Sequence, residues 1–169
     1  VNKMLDVANK YEAELQRLLM DTWHDEKYKF YHSCYSEAYK AADSTWNSHQ
    51  FVSIDKDGKI LGFISYNINR PNDCVSSIGA INFSDNKVIY GRDLMNVIAD
   101  IFEKYNFRKI AFSVIVGNPI ERSYDRLVAK YGGRIVGVYK EDSKLMDNKF
   151  YDSKMYEIFR DDYLKSKRQ

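Results

Sequence analysis

Residues 77–133 carry the pattern that most restricts what this chain can fold into, because strand, helix, strand and helix follow one another with little between them. SIGAINF (Ser77–Phe83) is a short apolar run rich in strand formers. SDNKVIYGR (Ser84–Arg92) has turn residues and one glycine, and reads as a polar loop. DLMNVIADIFEKY (Asp93–Tyr105) places Leu94, Val97, Ile98, Ile101 and Tyr105 on one face at helical spacing. KIAFSVIV (Lys109–Val116) is nearly unbroken in apolar and β-branched residues, as a strand buried on both faces requires. A helix with marked ends follows. Asn118 caps it, Pro119 fits its first position, Glu121 stands where a capping-box acid reaches back, and Gly132 ends it. Two strands joined through a helix are expected to be parallel neighbours with a right-handed crossover. They should diverge at their carboxyl ends to leave a slot, with the 84–92 loop placed where a helix N-terminus holds an anion.

The flanking segments complete a mixed sheet. Lys3–Ala8 reads as an edge strand, and Tyr11, Leu15, Leu18, Leu19 and Trp23 share the face of a first helix. Residues 25–42, dense in tyrosine and lysine, read as a second helix. Gln50–Ile54 and Lys59–Asn69 alternate around Asp57-Gly58 as a β-hairpin. The turn Arg70–Asp73 then leads into the strand ending at Phe83, which completes an antiparallel meander. After Gly133, RIVGVYK and FYDSKMYEIFR read as two strands joined by the loop EDSKLMDN. The expectation is an α/β (mixed α+β) domain over residues 1–169, with about seven strands and four flanking helices. Its antiparallel N-terminal meander leads into a central parallel pair.

Composition removes several function classes. A net charge of +2 gives no electrostatic case for nucleic acid, and the basic end KSKRQ reads as solvated. No apolar run reaches membrane-spanning length, and residues 1–30 show no signal-peptide core, so no membrane role is expected. Cys34 and Cys74 have neither metal spacing nor disulfide density, so reduced thiols in a cytoplasmic protein are expected. His24, His32 and His49 lack the spacing of a metal site or triad, and no metal is expected.

The ordered elements, with FVSIDKDGKILGFISY, GRDLMNVIADIFEKY and VIVGNPIERSYDRLVAKYGGRIVG inside them, resemble the GNAT superfamily of N-acetyltransferases over nearly the whole chain. The tail FYDSKMYEIFRDDY resembles the last strand of members that acetylate protein N-termini or polyamines. The resemblance implies acetyl-CoA as co-substrate and direct attack of a primary amine on its thioester. It also implies a pyrophosphate loop over Lys87, Val88, Ile89, Tyr90, Gly91 and Arg92. There Gly91 and Leu94 fix the register, Asn86 stands where Gln or Arg is usual, and Ile89 replaces the first glycine. Pantetheine and oxyanion contacts are implied along the backbone of Ile81, Asn82 and Phe83, with a further pantetheine contact from Asn118.

The family's usual glutamate base is missing from SSIGAINFS, leaving Asn82, Ser84 or Asp85 to orient a water. The usual acid, a tyrosine four residues before the helix-ending glycine, is replaced by Val128. Tyr124, one turn earlier on the same face, is the candidate acid, with Tyr131 the alternative. Packing against Leu127 and Val128 would account for Tyr124 equally well. The tyrosine-rich segment 28–39 corresponds to substrate-facing helices. The acceptor is a small-molecule amine or peptide, and the chain a monomer or homodimer. A non-catalytic GNAT-like module that binds CoA or a partner also fits the eroded loop, and an unrelated α/β binding domain would make residues 84–92 a mere connector.

Overall fold

The structure, a computed structural model, describes residues 5–33, 38–85 and 87–168. Its seven-stranded sheet comprises β1 (Leu5–Val7), β2 (Ser48–Ile54), β3 (Ile60–Asn69), β4 (Cys74–Asn82), β5 (Lys109–Ile115), β6 (Arg134–Lys144) and β7 (Phe150–Phe159). Spatially the order is β1-β2-β3-β4-β5-β7-β6, antiparallel except for β4 and β5. The α-helices are α1 (Glu12–Asp21), α2 (Lys87–Ala99), α3 (Glu121–Lys130) and α4 (Arg160–Ser166). Among the described residues no helix is long and apolar enough to cross a membrane.

The parallel pair is short. Cys74 pairs with Lys109 and Val75 with Ile110, and the ladder stops there. The cause lies in β4 itself. Ser65 of β3 faces Gly79 while Asn67 faces Ser76, so β4 carries one extra residue between them. Ser77 takes it up at φ 53°, the left-handed region that costs a side-chain-bearing residue roughly 1–2 kcal/mol. A bulge bends its strand, and β4 parts from β5 immediately after Val75. The slot expected at the carboxyl ends of 77–83 and 109–116 is therefore present, and its origin is one residue.

Two apolar layers hold the sheet. On one face α2, α3 and α4 cover Ile64, Tyr66, Val75, Ile110, Phe112, Tyr156 and Ile158. On the other, Leu15 of α1 packs with Ala8, Val52 and Ile60. The hairpin turn before β3 has Gly58 at φ 82°, as the Asp-Gly pair required.

Several boundaries differ from expectation. The segment read as a loop over 84–92 is helical from Lys87, because Tyr90 continues the stripe of Leu94, Val97 and Ile98 and is buried like the last two. Gly62 makes room for it: a Cβ there would stand 2.4 Å from the Tyr90 ring. At its other end α2 runs into a π-helical turn, Asp100–Lys104. That added residue shifts the phase, burying Phe102 and leaving Tyr105 partly exposed. Of the second helix expected over 25–42, the described residues form 3₁₀ turns at Glu26–Tyr31, and 34–37 lie outside the described residues. Tyr28 and Tyr31, three apart, meet at 6.0 Å between ring centroids, which suits a three-residue period rather than 3.6. Finally, β6 continues to Lys144, through residues expected to lie in a loop.

Candidate functional site

The divergence of β4 and β5 opens an apolar slot. Its floor is Ile110 and Phe112, with Ile78 on the β4 side, Leu94 and Ile98 of α2, and Tyr124 and Leu127 of α3 around it. Tyr124 reaches it because α3 is strongly two-faced. Ile120, Tyr124, Leu127, Val128 and Tyr131 pack on the sheet, whereas Arg122, Ser123, Arg126 and Lys130 face solvent. The Tyr124 ring stands edge-on to Phe112 at 5.2 Å and to Tyr156 at 6.2 Å.

Two tyrosines side by side have different hydroxyl environments. Tyr156 donates to Asp125 Oδ1 at 2.8 Å, and Lys154 holds both Glu121 and Asp125 at 2.9 Å. Those contacts keep both carboxyls below their usual range, with Lys154 the largest cause for each. The Tyr124 hydroxyl has no hydrogen-bond partner among the described residues. Burial, then the neighbouring Tyr31 phenol, pushes its pKa up to about 12. It is a neutral donor at any physiological pH. Val128 is sealed in the core, and Tyr131 stacks on Tyr163 at 5.0 Å at the far end of α3. Of the two tyrosines proposed from sequence, Tyr124 alone lines the slot.

The β4 end is tightly tied. Ile81 is buried, Phe83 N donates to Leu61 O at 2.8 Å, and Asn82 Oδ1 accepts from both the backbone N and Oγ of Ser84. Past Val75, β4 has no strand partner on its β5 side among the described residues. Its backbone on that side is the polar edge of the slot.

The six residues expected to form a phosphate loop are the first turns of α2. Lys87, Val88 and Arg92 are exposed, and Gly91 has open space where a Cβ would stand. Tyr90 points inward, with its hydroxyl on Phe63 O at 3.1 Å, so its side chain does not face a ligand at the helix start. In the first turn of α2, Lys87 N is turned back to Asp85 O at 3.0 Å. Asn86 lies outside the described residues.

Across the slot, Asn118 builds the turn into α3, which starts at Glu121 rather than at Pro119. Its Oδ1 accepts from Ile120 N at 3.1 Å, and Glu121 reaches back to Gly117 N at 3.0 Å. The expected capping box is not formed: Ile120 is the N-cap residue, no side chain caps it, and the Asn118 and Glu121 bonds close the preceding turn instead.

A 3₁₀ strap, Glu26–Tyr31, crosses the mouth between the strand ends. Lys27 Nζ stands 3.5 Å from Asp85 on the β4 side, and the Phe30 ring meets Tyr151 of β7 at 6.1 Å. Both partners of the ion pair are exposed, so the aromatic contact carries more of the docking.

Two functional candidates escaped the sequence reading. Asp93 is fully buried; its Oδ2 accepts from Ser53 Oγ at 2.7 Å, and its Oδ1 is partnerless among the described residues, with Arg92 Nε at 3.7 Å. An aspartate inside the Tyr90–Val97 stripe was the available signal. His32, also buried, bonds Thr22 through Nε2 at 2.7 Å. No sequence spacing signals that pair.

No protein-family model matches the sequence, and no curated protein matches it. Solved structures do match over almost its full length. Spermidine N-acetyltransferase from Vibrio cholerae, solved with CoA and spermine, superposes with a TM-score of 0.71 at 19% identity, covering 96% of this chain and 99% of that one. Ribosomal-protein-S5-alanine acetyltransferase from Vibrio fischeri gives 0.69 at 15% identity, covering 94% and 93%. A protein described as a probable GNAT-family acetyltransferase from Chromobacterium violaceum gives 0.68 at 14% identity, covering 96% and 91%. With its splayed parallel pair and flanking α2 and α3, the chain has the fold of the GNAT acetyltransferases.

Proposed function

We propose that the protein is an acetyl-CoA-dependent N-acetyltransferase acting on a primary amine. The observation that carries this reading is the parting of β4 and β5 after Val75 and Ile110, with an unbonded tyrosine hydroxyl in the opening. A thioester laid along Ile81–Phe83 would present its carbonyl to the unpaired β4 backbone, which supplies donors for a tetrahedral oxyanion. The pyrophosphate would lie against the first turn of α2, where Lys87, Arg92 and the positive helix end favour it. Tyr124, held neutral by burial, is the hydrogen-bond donor and proton source for the departing thiolate. Asn118 stands beside the pantetheine path, and its Oδ1 is already committed to its own turn.

One observation favours a CoA-binding module without turnover. Among the described residues, those lining the slot include no carboxylate to take the ammonium proton. Thiol release decides between the readings. Acetyl-CoA should stabilise the protein against heat, since a ligand at 100 times its Kd contributes about 2.7 kcal/mol. Thiol should then appear only when an acceptor amine is added. Stabilisation without thiol across a broad amine panel would establish the module. No stabilisation at millimolar acetyl-CoA would remove both readings.

A further inference from the structure

The first turns of α2 are fastened to the sheet by two polar side chains. Tyr90 and Asp93, three residues apart, share one face of the helix. The Tyr90 ring lies over Gly62 of β3, where an added Cβ would come within 2.4 Å of the ring and 2.6 Å of Ile81 O on β4. Its hydroxyl donates to Phe63 O at 3.1 Å. Asp93 is fully buried, and its Oδ2 accepts from Ser53 Oγ at 2.7 Å. Ser53 is the β2 residue paired with Gly62, so both side chains land on neighbouring positions of the sheet.

Burial alone does not account for this arrangement. Leu94, Val97, Ile98, Ile101 and Phe102 already pack α2 on the sheet. Replacing a buried hydrogen-bonded pair by apolar groups of the same shape is close to neutral. What such a pair adds is position, because an apolar face tolerates sliding and a hydrogen bond between two fixed atoms does not.

Position is controlled at one end of the helix. Farther along, Val97, Ile98, Ile101 and Phe102 bury apolar groups, and the helix changes to a π-helical turn over Asp100–Lys104. The tethered end is the one that follows directly on the carboxyl end of β4. There Asp93 also restrains the cation beside it: Arg92 Nε stands 3.7 Å from Asp93 Oδ1, with the Arg92 side chain exposed. Ser53 orients Asp93, and Asp93 orients Arg92.

Resting on the acetyltransferase reading, we infer that Tyr90 and Asp93 are positioning residues for the cofactor's pyrophosphate. They act from behind the phosphate-binding turn and touch no ligand themselves. They fix the first turns of α2 and the Arg92 guanidinium against Ile81–Phe83 of β4, so that a single molecule reaches both stretches. Tyr90 braces the helix across Gly62, and Asp93 links Ser53 to Arg92.

The test compares CoA with pantetheine, which lacks the phosphates, on the full chain. CoA is followed by calorimetric titration and pantetheine as its competitor. Tyr90→Phe keeps the ring over Gly62 and removes the bond to Phe63 O. Ser53→Ala removes the partner of Asp93. Each should weaken CoA about tenfold, the equivalent of one lost hydrogen bond, and leave pantetheine within about twofold. Ser53→Thr keeps a hydroxyl and should restore most of the CoA affinity. Where Ser53→Ala does not fold, Ser53→Cys, a weaker donor of similar size, takes its place.

Amide exchange of the unliganded variants gives an independent readout. Residues 87–93 should exchange faster than in the unsubstituted chain, with 97–104 unchanged. A merely structural tether would lower the melting temperature and leave both affinities alone, or weaken both ligands equally. Either result overturns the inference. Neither touches the acetyltransferase reading while the unsubstituted chain binds acetyl-CoA. An unsubstituted chain that binds no CoA defeats that reading, and the inference with it.

Discussion

The two ends of the β4–β5 pair are built from the same kinds of residue and have opposite properties. At the amino end, Cys74 and Val75 pair with Lys109 and Ile110, and Arg108 N donates to Asp73 O at 3.1 Å. Arg160 closes that end on Phe102 O and Asn106, both at 2.8 Å, and Glu157 is shared by Lys109 and Arg134. Its polar groups are satisfied locally. At the carboxyl end the strands have parted, and among the described residues the β4 edge lacks a strand partner and the Tyr124 hydroxyl a hydrogen bond. Backbone groups left off the ladder at that end are open to water or to a ligand. The bulge at Ser77 separates the two regimes.

The difference can be broken most strongly at Tyr124. Tyr124→Phe keeps the ring against Phe112 and should cut thiol release by roughly 10²-fold with acetyl-CoA binding intact. Unchanged turnover would reduce Tyr124 to packing. Ser77→Val forces a β-branched side chain into φ 53° and should cost about 1–2 kcal/mol in urea unfolding, because the bend that opens the slot resists it. Tyr156→Phe removes the bond to Asp125 and should cost about 1 kcal/mol of stability with turnover within a few fold, in contrast to its neighbour Tyr124.

Gly91 gives the smallest effect and a diagnostic sign. It sits inside α2 with open space at its Cβ, so Gly91→Ala should raise stability by roughly 0.5–1 kcal/mol. If the pyrophosphate lies there, the same substitution should weaken acetyl-CoA binding in calorimetric titration. A parallel gain in both would move the phosphates elsewhere.

Acid should act on the scaffold in two stages. Burial lowers the pKa of His32 and His49, so the unfolded chain takes up protons first. Their contribution is complete above about pH 6.5 and is lost as pH falls from there. Glu121, Asp125, Glu103 and Glu157, all held below the usual carboxylate values, lose theirs as pH falls through the ordinary carboxylate range. Melting temperature against pH reads both.

Much of this architecture is legible in the sequence, because strands of β-branched residues, an Asp-Gly hairpin and a helix bounded by Asn118 and Gly132 each state a local preference. What was not legible depends on partners far along the chain. The start of α2 at Lys87 follows from Tyr90 finding Gly62 on another strand. The buried bond of His32 to Thr22 spans ten residues, and the slot follows from an extra residue in β4 visible only against β3. The strap's 3₁₀ form was masked by a tyrosine and lysine content that serves helix equally well. Tyr124 was chosen by its place on the helix face, and the unbonded hydroxyl that singles it out is a fact of packing.

Hydrogen–deuterium exchange of the full chain with and without acetyl-CoA tests the central claim most directly. The account predicts slowed exchange in peptides spanning 76–83 and 87–92, with residues 72–75 and 108–110 unchanged because that end is already paired. Protection confined to the amino end of the pair, or absent from 76–83 at a ligand concentration that saturates binding, would contradict it.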